Sequence, residues 1–197
     1  MSDGLKRREV VKFLLDGRPE GLLAVSGLGS PCWDLASVGD NERNFYVWGA
    51  MGGAAMIGYG VACGQPDKRV LVLTGDGEML MGMGAFATIA NQPVDNLAIV
   101  VLDNGRFGET GGQATHTSGS TDIAGIAAAA GIPTTATIRT DRELPDLKRR
   151  VLEGRGPSVS VVKIAYEKLK FVLPSSSGSF LKDRFRRSLM GDAAVLP

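Results

Sequence analysis

The sequence predicts a single α/β domain in three layers, a mainly parallel sheet with helices on both faces. Three observations carry that prediction. Apolar runs of strand length, Val70 to Leu73 and Leu97 to Leu102, alternate with stretches of helical spacing. The segments joining those runs are long enough to hold the crossover helix that parallel strands require. At 197 residues the chain has room for one full core without disulfide support.

Taken in order, Arg8 to Asp16 (REVVKFLLD) has helical spacing and is stopped by Gly17 and Pro19. Gly21 to Val25 reads as a short strand. The loop after it, Ser26-Gly27-Leu28-Gly29-Ser30, is either a plain turn or one that touches a ligand. Trp33 to Val38 forms a helical turn and Phe45 to Trp48 the next strand. The segment Trp48-Gly49-Ala50-Met51-Gly52-Gly53 opens a small-residue helix, Ala54 to Cys63, able to sit close to a neighbouring layer. The strand from Val70 ends in Thr74-Gly75-Asp76-Gly77-Glu78, and one helical pattern then runs through Asn91. Its methionines, Met79, Met81 and Met83, read as core or interface packing. The strand from Leu97 ends in Asp103-Asn104-Gly105, and a long polar loop occupies residues 105–121. Asp122 can cap a helix, Ile123 to Ala130. A strand, Thr134 to Ile138, a helix, Asp141 to Leu152 with Pro145 in its first turn, and a strand, Pro157 to Ala165, complete the sheet. The domain therefore spans residues 1–174. Residues 175–197 form a tail, Ser/Gly-rich and then basic and amphipathic, that either docks on a partner subunit or stays a partly ordered terminus.

Composition narrows the function. The formal net charge of +1 offers no electrostatic case for nucleic acid or a membrane surface. The two cysteines, Cys32 and Cys63, have neither CxxC nor metal-site spacing and read as small buried side chains. The N-terminal residues MSDGLKRREV lack the apolar core of a signal peptide, and no run of 18 apolar residues occurs, so the expected location is cytoplasmic.

Residues 70–113 carry the chemistry. Strand, helix and strand make a βαβ unit, which puts Asp76 and Asn104 at the same carboxyl edge of the parallel sheet, where open α/β sheets bind ligands. Glycines at 75 and 77 let the backbone turn and approach a ligand at the start of a helix. An Asp and an Asn offer the hard oxygens that Mg²⁺ prefers, and diphosphate oxygens and water can complete the shell. The expectation is a magnesium-bridged diphosphate at Asp76 and Asn104. His116, the single histidine, lies in the following loop; it is either solvated or a proton donor or anion contact.

The Gly-Asp-Gly, the 26 residues from 78 to 103, and Asn104 together resemble the thiamine diphosphate (TPP) binding motif. The continuation NGRFGETGGQ is similar to the branch of sulfopyruvate and phosphonopyruvate decarboxylases, and the resemblance runs from about residue 10 to 165. It implies the thiamin diphosphate-binding fold, and within it the cofactor-diphosphate (PP) domain alone. It also implies that Ser26, Gly49, Met51, Gly75, Gly77, Glu78, Asn104, Arg106 and Phe107 contact TPP. By the same resemblance Asp76, Asn104 and the Arg106 carbonyl hold Mg²⁺, while Met51 props the cofactor in a bent form and so serves catalysis, core filling remaining its other reading; His116, by its place just past the cofactor loop, is the second catalytic candidate. The implied reaction is decarboxylation of a small anionic 2-oxoacid, 3-sulfopyruvate or phosphonopyruvate, to CO₂ and an aldehyde. Another TPP-dependent activity, oxidoreductase or carboligase, and a non-catalytic TPP-binding subunit are the alternatives. A pyrimidine-binding (PYR) domain is absent, so the resemblance implies a hetero-oligomer whose α subunit brings that domain and its catalytic Glu. Two departures stand out: Asp103 where many TPP enzymes have a first Asn, and Arg106-Phe107-Gly108-Glu109 in place of smaller residues.

Overall fold

The computed structural model describes residues 4–195. Helix α1 (Arg7–Leu15) leads into strand β1 (Leu23–Ser26), helix α2 (Ser30–Ser37) and strand β2 (Asn44–Tyr46). Helix α3 (Ala54–Gly64) returns the chain to β3 (Val70–Gly75). Helices α4 (Asp76–Met81) and α5 (Ala85–Asn91) precede β4 (Leu97–Asp103). Two short strands, β5 (Arg106–Phe107) and β6 (Gln113–Ala114), pair as an antiparallel hairpin. Helix α6 (Ile123–Ala129), strand β7 (Thr134–Ile138), helix α7 (Leu144–Leu152), strand β8 (Ser158–Lys163) and helix α8 (Gly178–Met190) follow.

Six strands form one parallel sheet in the order β2-β1-β3-β4-β8-β7. The period-2 alternation of strand side chains sorts them into two cores. Val70 and Val72 with Leu97, Ile99 and Val101 pack under α3, α5 and α6. Leu71 and Leu73 with Ala98, Val100 and Leu102 pack under α1, α2 and α7. This is the three-layer α/β arrangement expected from the apolar runs. Strand order reverses at β1 and β3, and such a switch point opens a crevice at the carboxyl ends of the strands.

Close packing explains the small residues of α3. A Cβ on Gly58 would lie 2.1 Å from Val72 Cγ2 in the middle of the sheet. Gly58→Ala is expected to cost about 1–3 kcal/mol through overpacking, read as a lower urea midpoint at unchanged m-value.

The structure differs from the sequence reading at Cys63, which is exposed rather than buried at the end of α3, and in three larger features. The helix expected through Asn91 is broken between Met81 and Ala85. There the backbones of Gly52 and Gly82 touch: a Cβ on Gly82 would lie 2.3 Å from the Gly52 carbonyl oxygen. The loop of residues 105–121 is folded on itself by the β5–β6 hairpin and by a tight turn at His116–Ser118. Residues 178–190 form α8, which lies along the edge strand β2 with Leu181 and Phe185 buried. Phe185 meets Phe45 at 5.5 Å between ring centroids, and Arg184 pairs with Asp40 at 2.6 Å. Covering β2 in this way shields an otherwise open sheet edge. No helix among the described residues is long and apolar enough to cross a membrane.

Candidate active site

A cavity of about 200 Å³ opens at the carboxyl edge of the sheet, at the switch point. Its walls are the loop after β1 (Leu28 to Pro31), the start of α4 (Gly75 to Glu78), the segment Asn104 to Thr110, and Met51. Gly75 and Gly77 serve here through close approach, since neither has positive φ. A Cβ at Gly75 would meet only Pro31, at 3.8 Å, so this backbone faces open space. A Cβ at Gly77 would strike the Phe107 ring at 2.6 Å, which locks the loop against α4.

Asp76 is the first residue of α4 and is 2% exposed. Its Oδ2 accepts a hydrogen bond from Thr115 Oγ1 at 2.5 Å, with Thr117 Oγ1 at 3.2 Å. Burial pushes this carboxyl above its ordinary value, the Thr115 hydroxyl opposes the shift, and the charge of Asp103 adds to it. Among the described residues no cationic side chain hydrogen-bonds to it. A buried carboxylate of that kind, facing a cavity with an amide oxygen beside it, suits a divalent cation bridged to an anion. Among the described residues no cluster of three His, Cys, Asp or Glu could hold a metal alone, so the ligand itself would have to supply the remaining oxygens.

Asn104 Oδ1 accepts from the Arg106 N–H at 2.8 Å, an Asx turn that leaves its second lone pair for a ligand. Gly105 between them is left-handed, φ +68°. The Arg106 guanidinium donates to the Gly112 carbonyl at 3.1 Å, which bridges the hairpin. Glu78 acts as a buried tie. Its carboxylate accepts from Thr74 Oγ1 at 2.9 Å and from the Ala54 N–H at 3.4 Å, while a Cβ on Gly27 would overlap it. Burial raises its pKa as well.

Of the remaining expected site residues, Met51 lines the cavity and is 39% exposed. It follows Ala50, which holds a left-handed φ of +53°, strained for a residue with a Cβ. Gly49 is exposed and stands outside the cavity wall. Ser26 is fully buried at the end of β1 beside Cys32; the cavity is reached by the residues after it. His116 is exposed and stands off the cavity, whereas its neighbours Thr115 and Thr117 are buried beside Asp76, and Thr115 donates to it.

Sequence reasoning missed several groups. Arg7 is 4% exposed and lines the cavity; its Nε lies 3.1 Å from Asp34 Oδ2 and its Nη1 donates to Ser30 Oγ at 2.7 Å. Arg8 reaches the other oxygen of Asp34 at 3.1 Å. A charged residue on an amphipathic helix carries no sign of burial in its spacing. The threonine pair was legible only as two hydroxyls two residues apart in a loop.

Residues 34–162 match the family described as thiamine pyrophosphate enzyme, C-terminal TPP binding domain. The chain belongs to the TPP enzyme family. It is 35% identical over 161 residues to the sulfopyruvate decarboxylase subunit beta of Methanocaldococcus jannaschii, covering 82% of this chain and 85% of that one. It is 37% identical over 153 residues to the phosphonopyruvate decarboxylase of Streptomyces viridochromogenes, covering 78% of this chain but 38% of that one. A solved structure from Mycobacterium smegmatis, described as that of a putative thiamin diphosphate-dependent enzyme, superposes with TM-score 0.70 at 26% identity, over 83% of this chain and 32% of its own. The TPP-binding domain of this chain thus stands, in some relatives, beside a longer remainder of the same polypeptide.

Proposed function

We propose that this chain is the cofactor-holding β subunit of a TPP-dependent 2-oxoacid decarboxylase. The buried Asp76 beside Asn104 in the switch-point cavity carries the reading. Asp76, Asn104 and the Arg106 carbonyl would hold Mg²⁺. Backbone N–H groups of Gly77 and Glu78 would face the diphosphate at the start of α4, where the helix dipole favours an anion. Bound TPP supplies an electron sink for the pair left behind when CO₂ departs from a 2-oxoacid. Within the chain, Phe107 closes the loop over α4 and limits water, and Met51 presents an apolar surface at the cavity mouth.

The favoured substrates, sulfopyruvate and phosphonopyruvate, are those named for the relatives. A separate α subunit with a PYR domain and its catalytic Glu is part of the proposal. Exposed methionines support it: Met51 lines the cavity at 39% exposed, and Met81, 67% exposed, ends the helix that Asp76 begins, where the backbone meets Gly52. An exposed apolar rim around a polar site is a common mark of a subunit interface.

The test is CO₂ release by the natively isolated complex supplied with TPP and Mg²⁺. Sulfopyruvate, phosphonopyruvate, pyruvate and an aromatic 2-oxoacid are offered in turn. Turnover of one anionic substrate at least about tenfold above pyruvate is expected. No release from any of them, with TPP still bound, would replace the decarboxylase by an oxidoreductase, a carboligase or a non-catalytic subunit.

A further inference from the structure

Asp103 is 2% exposed and stands one residue from a proposed metal ligand. Both of its oxygens are nevertheless engaged within the chain. Oδ1 accepts from the Gly105 N–H at 3.0 Å and from Thr117 Oγ1 at 2.7 Å. Oδ2 is in a close ion pair with the ammonium of Lys163, its register partner on β8. Three of the four lone-pair positions of Asp103 are occupied, and the ammonium at Oδ2 disfavours a cation beside it.

Its contacts lead to the proposed metal ligands. The Gly105 carbonyl accepts from the Thr115 N–H at 2.9 Å and from Ser118 Oγ at 2.6 Å. Thr117 Oγ1 has one proton and three near oxygens, Asp103 Oδ1 at 2.7 Å, Thr115 Oγ1 at 2.9 Å and Asp76 Oδ2 at 3.2 Å. The shortest contact takes the proton, so Thr117 donates to Asp103 and Thr115 donates to Asp76. Gly105, clamped from both sides, sits between Asn104 and Arg106.

We propose that the Lys163–Asp103 ion pair is a positioning device for the metal site, acting through Gly105, Thr115 and Thr117 on Asp76, Asn104 and Arg106. The inference rests on the reading of Asp76 as a metal ligand. Lys163 is the element that makes an aspartate usable at this position. Without it, two buried carboxylates would face each other across a single threonine hydroxyl, and removing one partner of a buried pair leaves the other uncompensated.

The sign of one measurement separates positioning from simple charge. Lys163 is a cation near a cation site, so as a bare charge its removal would tighten Mg²⁺ binding. As a positioning residue its removal weakens binding, by about tenfold or more, the range seen when groups that orient metal ligands are lost. The natively isolated complex, stripped of metal and saturated with TPP, is titrated with Mg²⁺ by calorimetry, with thermal midpoints recorded in parallel. Lys163→Met is expected to lose at least about tenfold in affinity, Lys163→Arg to stay within about threefold, and Asp103→Asn/Lys163→Met to recover most of the loss. The double variant leaves no unpaired charge at positions 103 and 163, so it reports even if Lys163→Met fails to fold. Unchanged or tighter binding in Lys163→Met overturns the proposal. So does a loss that persists in the double variant, which would mean that Lys163 acts directly on the bound anion. Unchanged affinity in Asp76→Asn would instead remove the underlying ligand assignment.

Discussion

Replacing Asp76 with alanine is expected to abolish Mg²⁺-dependent TPP binding, raising the apparent Kd at least about a hundredfold, or roughly 2.7 kcal/mol. The residue supplies the one anionic oxygen among the proposed ligands, since Asn104 and the Arg106 carbonyl are neutral. Its carboxylate is also pre-aimed: burial removes competing water, and Thr115 fixes Oδ2. Both features make the cation the natural counter-charge for a group whose ionised form is otherwise disfavoured by burial. Titration calorimetry of TPP into the assembled complex, with and without Mg²⁺, reads the effect. Asp76→Asn keeps an acceptor for Thr115 and so isolates the lost charge from lost shape. Wild-type affinity in the alanine variant would exclude Asp76 from the metal shell.

Met51→Ala should separate binding from reactivity. Met51 is held at the cavity mouth by a backbone that accepts a left-handed Ala50, a strain on the order of 1–2 kcal/mol that a packing residue alone would not need. Truncation removes the apolar surface but touches none of the proposed metal or diphosphate contacts, so TPP affinity should change by less than about fivefold, while misplacing reacting groups by an ångström costs on the order of a hundredfold in rate. The measurement is hydrogen–deuterium exchange at the cofactor's C2 in the complex, expected to slow about a hundredfold in Met51→Ala and to return in Met51→Leu. An unchanged exchange rate would reduce Met51 to a rim contact.

Some of this architecture lies in local pattern. Apolar strands such as Val70 to Leu73 are buried on both faces, and a doubly covered parallel strand has to be apolar throughout, so the sheet was legible. Parallel crossovers then force the ends of β3 and β4 to one edge, which is why the sequence alone puts Asp76 and Asn104 together. The break at Gly82 was not legible. Helical spacing continues through it, and its cause is the Gly52 backbone, thirty residues away in sequence. Arg7, Thr115 and Thr117 were missed for the same reason, because their burial depends on neighbours that only folding supplies.

The sequence by itself determined the fold class, the edge of the sheet that carries the site, and the two oxygen-bearing residues there, all consequences of short-range periodicity and of the handedness of βαβ units. Only the tertiary structure decided which neighbours serve that pair. It paired Asp103 with Lys163 across sixty residues, turned the threonines rather than His116 toward Asp76, and laid α8 along β2. Those choices depend on contacts between distant segments, where burial and geometry, not residue type, set what a side chain does.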